Sequence, residues 1–275
     1  MTTVAYIILN YNTWQETINE VELIHKVLNV RFEDVIVVDN KSSNESVVNL
    51  REYSNNKKIQ FIQAKKNCGY AAGNNIGLKY ARNCGYKYAW ILNNDIIIKD
   101  SQLTKTILQV FEKDSKIAIA SPDIYMPNGH LCNRDSKRPN CYDFTIGMIK
   151  YRKVGRRIKD LGGYGYVYRP QGCSMMVDLE KLDEIGYLDE YTFLYCEELI
   201  LAEKLLRYNY KCVCVFSTSI IHNHSKTVKS ELDKRKIRKI MGQSFKYYLK
   251  KYRKYNVIQI IACMIFNEIK MKLIV

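Results

Sequence analysis

Short apolar runs alternate with helix-spaced apolar positions along most of the chain. Val4-Ala5-Tyr6-Ile7-Ile8-Leu9 predicts a buried strand that ends in Asn10-Tyr11-Asn12, and Val35-Ile36-Val37-Val38 predicts a second that ends in Asp39-Asn40-Lys41-Ser42-Ser43. Between them Ile18, Val21, Ile24 and Leu28 recur at helical spacing behind Thr13, a good N-cap. A further helix over about 44–53, a strand at 59–62 and a helix opening at the glycines 69, 73 and 77 repeat the alternation. Strand and helix in turn mean βαβ units and a parallel sheet with right-handed crossovers. The run Ala89–Ile98 predicts another buried strand, interrupted by Asn93-Asn94-Asp95. Leu103, Ile107, Val110 and Phe111 mark a helix, and 117–120 a strand.

Periodicity fades from about Pro127 to Pro170, a segment rich in glycine and tyrosine that reads as a functional loop, the substrate-facing wall. It returns in a strand over 171–177, a short helix from Leu179 stopped by Gly186, and a helix carrying Leu199, Ala202, Leu205 and Leu206 on one face. A strand over 211–216 leads to Ile220-Ile221-His222-Asn223-His224-Ser225. From about Lys229 the chain is basic and helical, so two parts are predicted: residues 1–228 as the main domain and 229–275 as a basic amphipathic extension.

Composition narrows the partners. A hydrophobic fraction of 47% excludes a disordered chain, and a net charge of +15 favours an anionic partner such as a nucleotide, phosphorylated sugar, nucleic acid or acidic membrane. Much of that charge lies in the extension, where cations alternate with tyrosines in a way that suits an anionic membrane surface or a solvated helix packed through its apolar side. The nine cysteines form no CxxC pair and are odd in number, which indicates neither a zinc site nor a disulfide framework. The chain enters a strand-like run without a charged-then-apolar leader, and Val257–Phe266 is too short to span a bilayer. A cytoplasmic protein follows, with peripheral contact to the inner face of the plasma membrane.

The polar strand ends carry the candidate chemistry. Asp95 closes an apolar run, where a carboxylate is costly to bury without a cation or polar ligand, and ligands of open α/β sheets gather at the carboxyl ends of strands. Asn93, Asn94 and Asp95 could also form only a hydrogen-bonded turn. Glycines at a helix start allow close backbone approach to phosphate, or close packing on a sheet; their spacing is neither a Walker loop nor a dinucleotide fingerprint. Glu197 and Glu198 open a helix, where the helix dipole favours them, and they are also what general base catalysis needs. His222 and His224 are metal ligands or a polar strand end.

In order, these stretches resemble the inverting family 2 glycosyltransferases of the GT-A fold, in particular the rhamnosyltransferase-like bacterial enzymes, over roughly residues 3–228. Asn67-x-Gly69-Tyr70-Ala71-x-Gly73-Asn74-Asn75-x-Gly77 matches that family's glycine-rich helix start, Leu92-Asn93-Asn94-Asp95 its metal motif, Tyr195-x-Glu197-Glu198 its Glu-Asp pair, and His222-x-x-Ser225 a late His/Ser element. The chain departs from the pattern at Asn93 in place of Asp and at Glu198 in place of the commoner Asp.

The resemblance implies an α/β GT-A fold with a mainly parallel central sheet flanked by helices. It implies inverting, metal-assisted sugar transfer from a UDP- or dTDP-sugar to a hydroxyl of a glycan or lipid-linked oligosaccharide in cell-surface polysaccharide synthesis. Asn10, Tyr11, Asn12, Asp39, Asn67, Gly69, Gly73, Asn74, Asn94 and Asp95 would bind the nucleotide sugar. Asp95 and His222 would hold Mg²⁺ or Mn²⁺. Glu198 would be the base and Glu197 its orienting partner, with Gly172, Cys173 and Ser174 facing the acceptor. Three other readings compete: a nucleotidyltransferase, which lacks the basic glycine-rich loop it would need near Asn10; a nucleic-acid binder using the basic tail; and a catalytically silent homologue.

Overall fold

The computed structural model describes residues 4–147, 158–223 and 234–274. Nine strands among them form one sheet in the order β3-β2-β1-β4-β8-β6-β9-β5, with β7 against β9. The strands are β1 (Val4–Asn10), β2 (Val35–Asp39), β3 (Gln60–Gln63), β4 (Tyr88–Leu92), β5 (Ile96–Ile98), β6 (Ile117–Tyr125), β7 (Tyr164–Val167), β8 (Ser174–Asp178) and β9 (Lys211–His222). The helices are α1 (Trp14–Leu28), α2 (Ser46–Lys57), α3 (Tyr70–Asn83), α4 (Leu103–Phe111), α5 (Cys141–Phe144), α6 (Leu179–Glu184), α7 (Glu197–Arg207), α8 (Lys234–Tyr247) and α9 (Val257–Ile274).

The first half is the predicted parallel arrangement: β2 pairs β1 and β3, and β4 pairs β1, all parallel. The sheet then turns mixed, because β8 enters antiparallel between β4 and β6. The run Ala89–Ile98 divides in two. Leu92 ends β4, while the three isoleucines leave the centre and form β5 at the far end of the sheet, antiparallel to β9 with Ile96 opposite His222. A period-two run cannot reveal such a jump, since both halves are apolar. Within the irregular 127–170 segment, α5 and β7 are ordered elements, and residues 148–157 lie outside the described residues.

Alternate residues of the strands feed two cores. Tyr6, Ile8, Val37 and Trp90 pack with Val21 and Ile24 of α1, Leu50 of α2 and Ile107 of α4. Ala5, Ile7, Ile36 and Ile91 pack with Leu78 of α3, Leu182 of α6 and Leu201 and Leu205 of α7. α3 can lie close to β1 because a Cβ on Gly73 would stand 2.5 Å from Leu9 Cδ1, and one on Gly77 2.7 Å from Ile7 Cγ2.

A third cluster binds the C-terminal helices to α7: Ile200 packs with Phe245, Tyr248, Leu249, Tyr252 and Cys263. Beside it the carboxylate of Glu203, 3% exposed, accepts Arg138 Nε at 2.9 Å, Arg138 Nη2 at 2.7 Å and Tyr168 Oη at 2.6 Å. A buried carboxylate is tolerated when its oxygens are satisfied in this way. Ser244 Oγ donates to Leu194 O at 2.7 Å, tying α8 to the loop that precedes α7.

Candidate active site

The carboxyl ends of β1 and β2 are in register, with Asn10 opposite Asp39. Asn10 Nδ2 donates to Asp39 Oδ2 at 2.8 Å, Ser42 Oγ donates to the same oxygen at 2.6 Å, and Ser42 N donates to Asp39 Oδ1 at 3.0 Å. Asn12 closes the corner: its N–H donates to Ser42 Oγ at 2.9 Å and its Oδ1 accepts Ser43 N at 2.9 Å. Asn12 and Lys41 hold left-handed backbone, φ +61° and +62°, a conformation that concentrates where a loop is over-determined by its contacts. Tyr11 lies between, half-buried.

Asn94 reaches this corner from β4. Its Nδ2 donates to Thr13 Oγ1 at 2.8 Å and Thr17 Oγ1 at 2.9 Å, and Thr17 Oγ1 donates to Asn10 Oδ1 at 2.8 Å. The predicted cap Thr13 stands at the N-cap position of α1 but makes no side-chain cap bond. Its hydroxyl serves the site instead.

The glycine-rich start of α3 adjoins the same end. Asn67 Oδ1 accepts Gly69 N and Asn40 Nδ2, both at 3.0 Å. Asn40 Oδ1 is buried without a hydrogen-bond partner among the described residues. It borders a cavity of about 440 Å³ lined also by Lys65, Lys66 and Lys79. Gly69 has φ +92°, and a Cβ there would stand 1.9 Å from Phe193 O, which accepts Tyr70 N at 2.9 Å. The loop before α7 therefore rests directly on the start of α3. Asn74 is fully buried one turn on, donating to Tyr70 O at 3.0 Å.

Glu198 opens α7. Its Oε1 accepts Gly172 N at 3.0 Å, and Arg169 Nη1 lies 3.5 Å from Oε2. Tyr70 Oη donates to Gly172 O at 2.6 Å, so one residue ties the carboxylate to α3. The next residue ties it to β4, where Asn93 N donates to Cys173 O at 2.9 Å. Burial pushes the Cys173 thiol well above its usual range, and the neighbouring Cys132, Glu198 and Asp95 add to the effect. Ser174, fully buried, accepts Trp90 Nε1 at 3.0 Å. Tyr195 and Cys196, at φ +72° and +67°, bring the chain into α7 through two left-handed residues.

Both glutamates are half-buried as residues, but the Oε1 atom of Glu197 is shut off from solvent. Burial first, and then the charge of Glu198, push its carboxyl up to about 7, and its Oε1 has no hydrogen-bond partner among the described residues. On the far side, Asp95 Oδ1 lies 3.2 Å from His222 Nε2. Glu20 of α1 is buried nearby; desolvation raises its carboxyl well above the ordinary range, with a further push from Asp95. His224 and Ser225 lie outside the described residues.

The predicted residues thus gather in two groups. Asn10, Asn12, Asp39 and Asn94 share one hydrogen-bonded corner, with Asn67 and Gly69 beside it, while Glu198 and Gly172 meet at the entry to β8 and Asp95 stands against His222. Tyr70 Oη, Arg169, Thr17 and Asn40 belong to these groups without having been singled out. Tyr70 and Asn40 lay inside the quoted motifs; Arg169 had no local signal.

The family model described as glycosyl transferase family 2 matches residues 6–178. The low-salt glycan biosynthesis hexosyltransferase Agl10 of Haloferax volcanii is 26% identical over 224 residues, 80% of this chain and 66% of that protein. The chain thus spans just under two thirds of that relative's length. Among solved structures, the mannosyltransferase PcManGT of Pyrobaculum calidifontis, in complex with GDP-Man and Mn²⁺, superposes with a TM-score of 0.62 at 13% identity, over 99% of this chain and 70% of that one. GalNAc-T7 with UDP, GalNAc and Mn²⁺ gives 0.63 at 16% identity, over 91% and 49%.

Proposed function

The chain belongs to glycosyl transferase family 2 and has the GT-A fold, and on that premise we propose that it transfers a sugar, with inversion, from a nucleoside diphosphate sugar to a hydroxyl of a glycan or lipid-linked oligosaccharide. One observation carries the reading: consecutive residues of the β8 entry hold the Glu198 carboxylate, through Gly172 N, and Asn93, two residues before Asp95, through Cys173 O. A base and an acidic turn fixed to one short segment suit a reaction in which a hydroxyl loses its proton while a diphosphate departs.

The chain's own groups divide the work. The Asn10–Asp39–Ser42 corner, with Asn12 and Asn94, holds base and ribose. Glu198 accepts the acceptor's hydroxyl proton as that oxygen attacks the anomeric carbon opposite the leaving diphosphate. Gly172 N and Arg169 aim the carboxylate, and Tyr70 Oη fixes the Gly172 peptide. Below about pH 7 Glu197 is a neutral acid beside it, its carboxyl raised by desolvation and then by the charge of Glu198.

Asp95 and His222 form a donor set of one carboxylate and one imidazole, 3.2 Å apart. That set suits a divalent cation such as Mn²⁺ or Mg²⁺ that completes its shell with diphosphate and water oxygens. Such an ion would supply charge neutralisation at the leaving group.

The test is a thermal-shift panel of UDP, dTDP, GDP and CMP with and without Mn²⁺ or Mg²⁺. One nucleotide should raise the melting temperature in a metal-dependent way, and Asp95→Ala should remove the shift. Glu198→Gln should keep the shift and lose about 10²- to 10⁴-fold in transfer. A panel without any shift would overturn the donor site, and near-normal transfer by Glu198→Gln would overturn the base.

A further inference from the structure

α9 leaves one apolar face uncovered. Cys263 is fully buried against the α7–α8 cluster, which fixes the side of the helix that faces the protein. At 3.6 residues per turn Val257, Ile258, Ile261, Ile265 and Ile269 fall within an arc of about 120° on the opposite side. These five are 72, 79, 54, 53 and 46% exposed. Their band runs about 18 Å along the helix axis, with Glu268 in the same arc at its C-terminal end, and the apolar stretch from Val257 to Ile265 is the kind of patch that marks a contact surface.

The segment leading into α9 is basic, with Lys251 paired to Asp189. Lys236 and Lys239 on α8, Lys246 at its end, and Lys250 and Lys254 just before α9 are all exposed. No acidic residue occurs from Lys234 until Glu268. We propose that α9 docks the protein on the surface of an anionic phospholipid bilayer, with its isoleucine band at the headgroup–acyl boundary and the lysines against lipid phosphates. No helix among the described residues is long and apolar enough to cross a membrane, so the helix lies in the plane of the surface. A second copy of the chain fits the band less well. It would oppose two strongly basic segments, and a footprint of about 18 by 10 Å falls far short of the ~800 Å² per partner of a stable interface.

The inference goes beyond the transfer reading and does not depend on it, although the two meet at one point. α9 and α7 share a cluster through Cys263 and Ile200, so a seated α9 would hold the helix that carries Glu198 in its first turn at a fixed height over the lipid, where a lipid-linked acceptor is presented.

The test is flotation of the full chain with vesicles of phosphatidylcholine alone or of equal phosphatidylcholine and phosphatidylglycerol. The protein should float with the anionic vesicles only, and high salt should weaken binding. I261E/I265E should lower partitioning at least about tenfold, and K250A/K254A severalfold with a flatter salt dependence. Both variants should keep the wild-type melting temperature and nucleotide shift, which reports separately on the transfer reading. Failure of the wild type to float, or undiminished flotation of I261E/I265E, would overturn the proposal. So would a wild-type dimer without vesicle binding that I261E/I265E converts to a monomer.

Discussion

Glu197 and Glu198 are adjacent in sequence and differ in surroundings, because successive residues of a helix point about 100° apart. Glu198 faces Gly172 N and Arg169; Glu197 has one oxygen shut off from solvent and its carboxyl raised from 4.5 to about 7 by desolvation and the charge of Glu198. Between those two pH values the folded chain keeps a proton that the unfolded chain releases, so stability falls as pH rises from about 4.5 to 7. Glu197→Gln removes this loss. Urea unfolding at pH 5 and pH 8 should show the wild type losing up to ~3 kcal/mol more than the variant across that interval. At this scale the sequence showed the residues that end strands or open helices, such as Asn10, Asp39, Asp95 and Glu198, since a polar residue closing an apolar run is visible locally. It could not show Tyr70 Oη on Gly172 O, 102 residues away, or that Thr13 would turn from its cap to Asn94, because such pairings exist only after the chain has folded.

The elements meet most tightly at Gly69, where the loop over 188–196 rests on the start of α3. Alanine there would need both a disfavoured φ of +92° and a Cβ 1.9 Å from the Phe193 carbonyl, a backbone atom that cannot step aside. Gly69→Ala should therefore cost about 2–4 kcal/mol in chemical denaturation. It should also lower transfer, because the displaced loop leads into Glu198. Gly73→Ala meets the tip of the Leu9 side chain instead, which can turn, and should cost about 1–2 kcal/mol. The alternation of strand and helix up to α3 was legible because each element carried its own period. The separation of β5 from β4 and the antiparallel entry of β8 were not, since pairing partners are chosen by tertiary packing.

Across the whole molecule, Glu203 connects parts distant in sequence. Arg138 and Tyr168 come from the 127–170 segment, Glu203 from the middle of α7, and Arg253 from the turn before α9, with its Nε 3.6 Å from Glu203 Oε1. Removing the carboxylate leaves the buried Tyr168 hydroxyl without its acceptor, whereas the half-exposed Arg138 can turn to water. Glu203→Ala should thus lower stability by about 1–3 kcal/mol. Limited proteolysis should then cut between α7 and α8 faster than in the wild type. The charge of the extension was visible in the sequence; that its tyrosines are turned inward on α7 was not, because a basic helix with aromatics reads equally as solvated or packed.

The same connection bears on chimeras made to change acceptor preference. A segment exchanged over 127–170 that lacks Arg138 and Tyr168 would leave Glu203 without those partners and loosen the seat of α7. Exchanges that retain those two side chains, or that carry α7 and the C-terminal helices along as one unit, keep the carboxylate paired and leave Glu198 where Gly172 holds it.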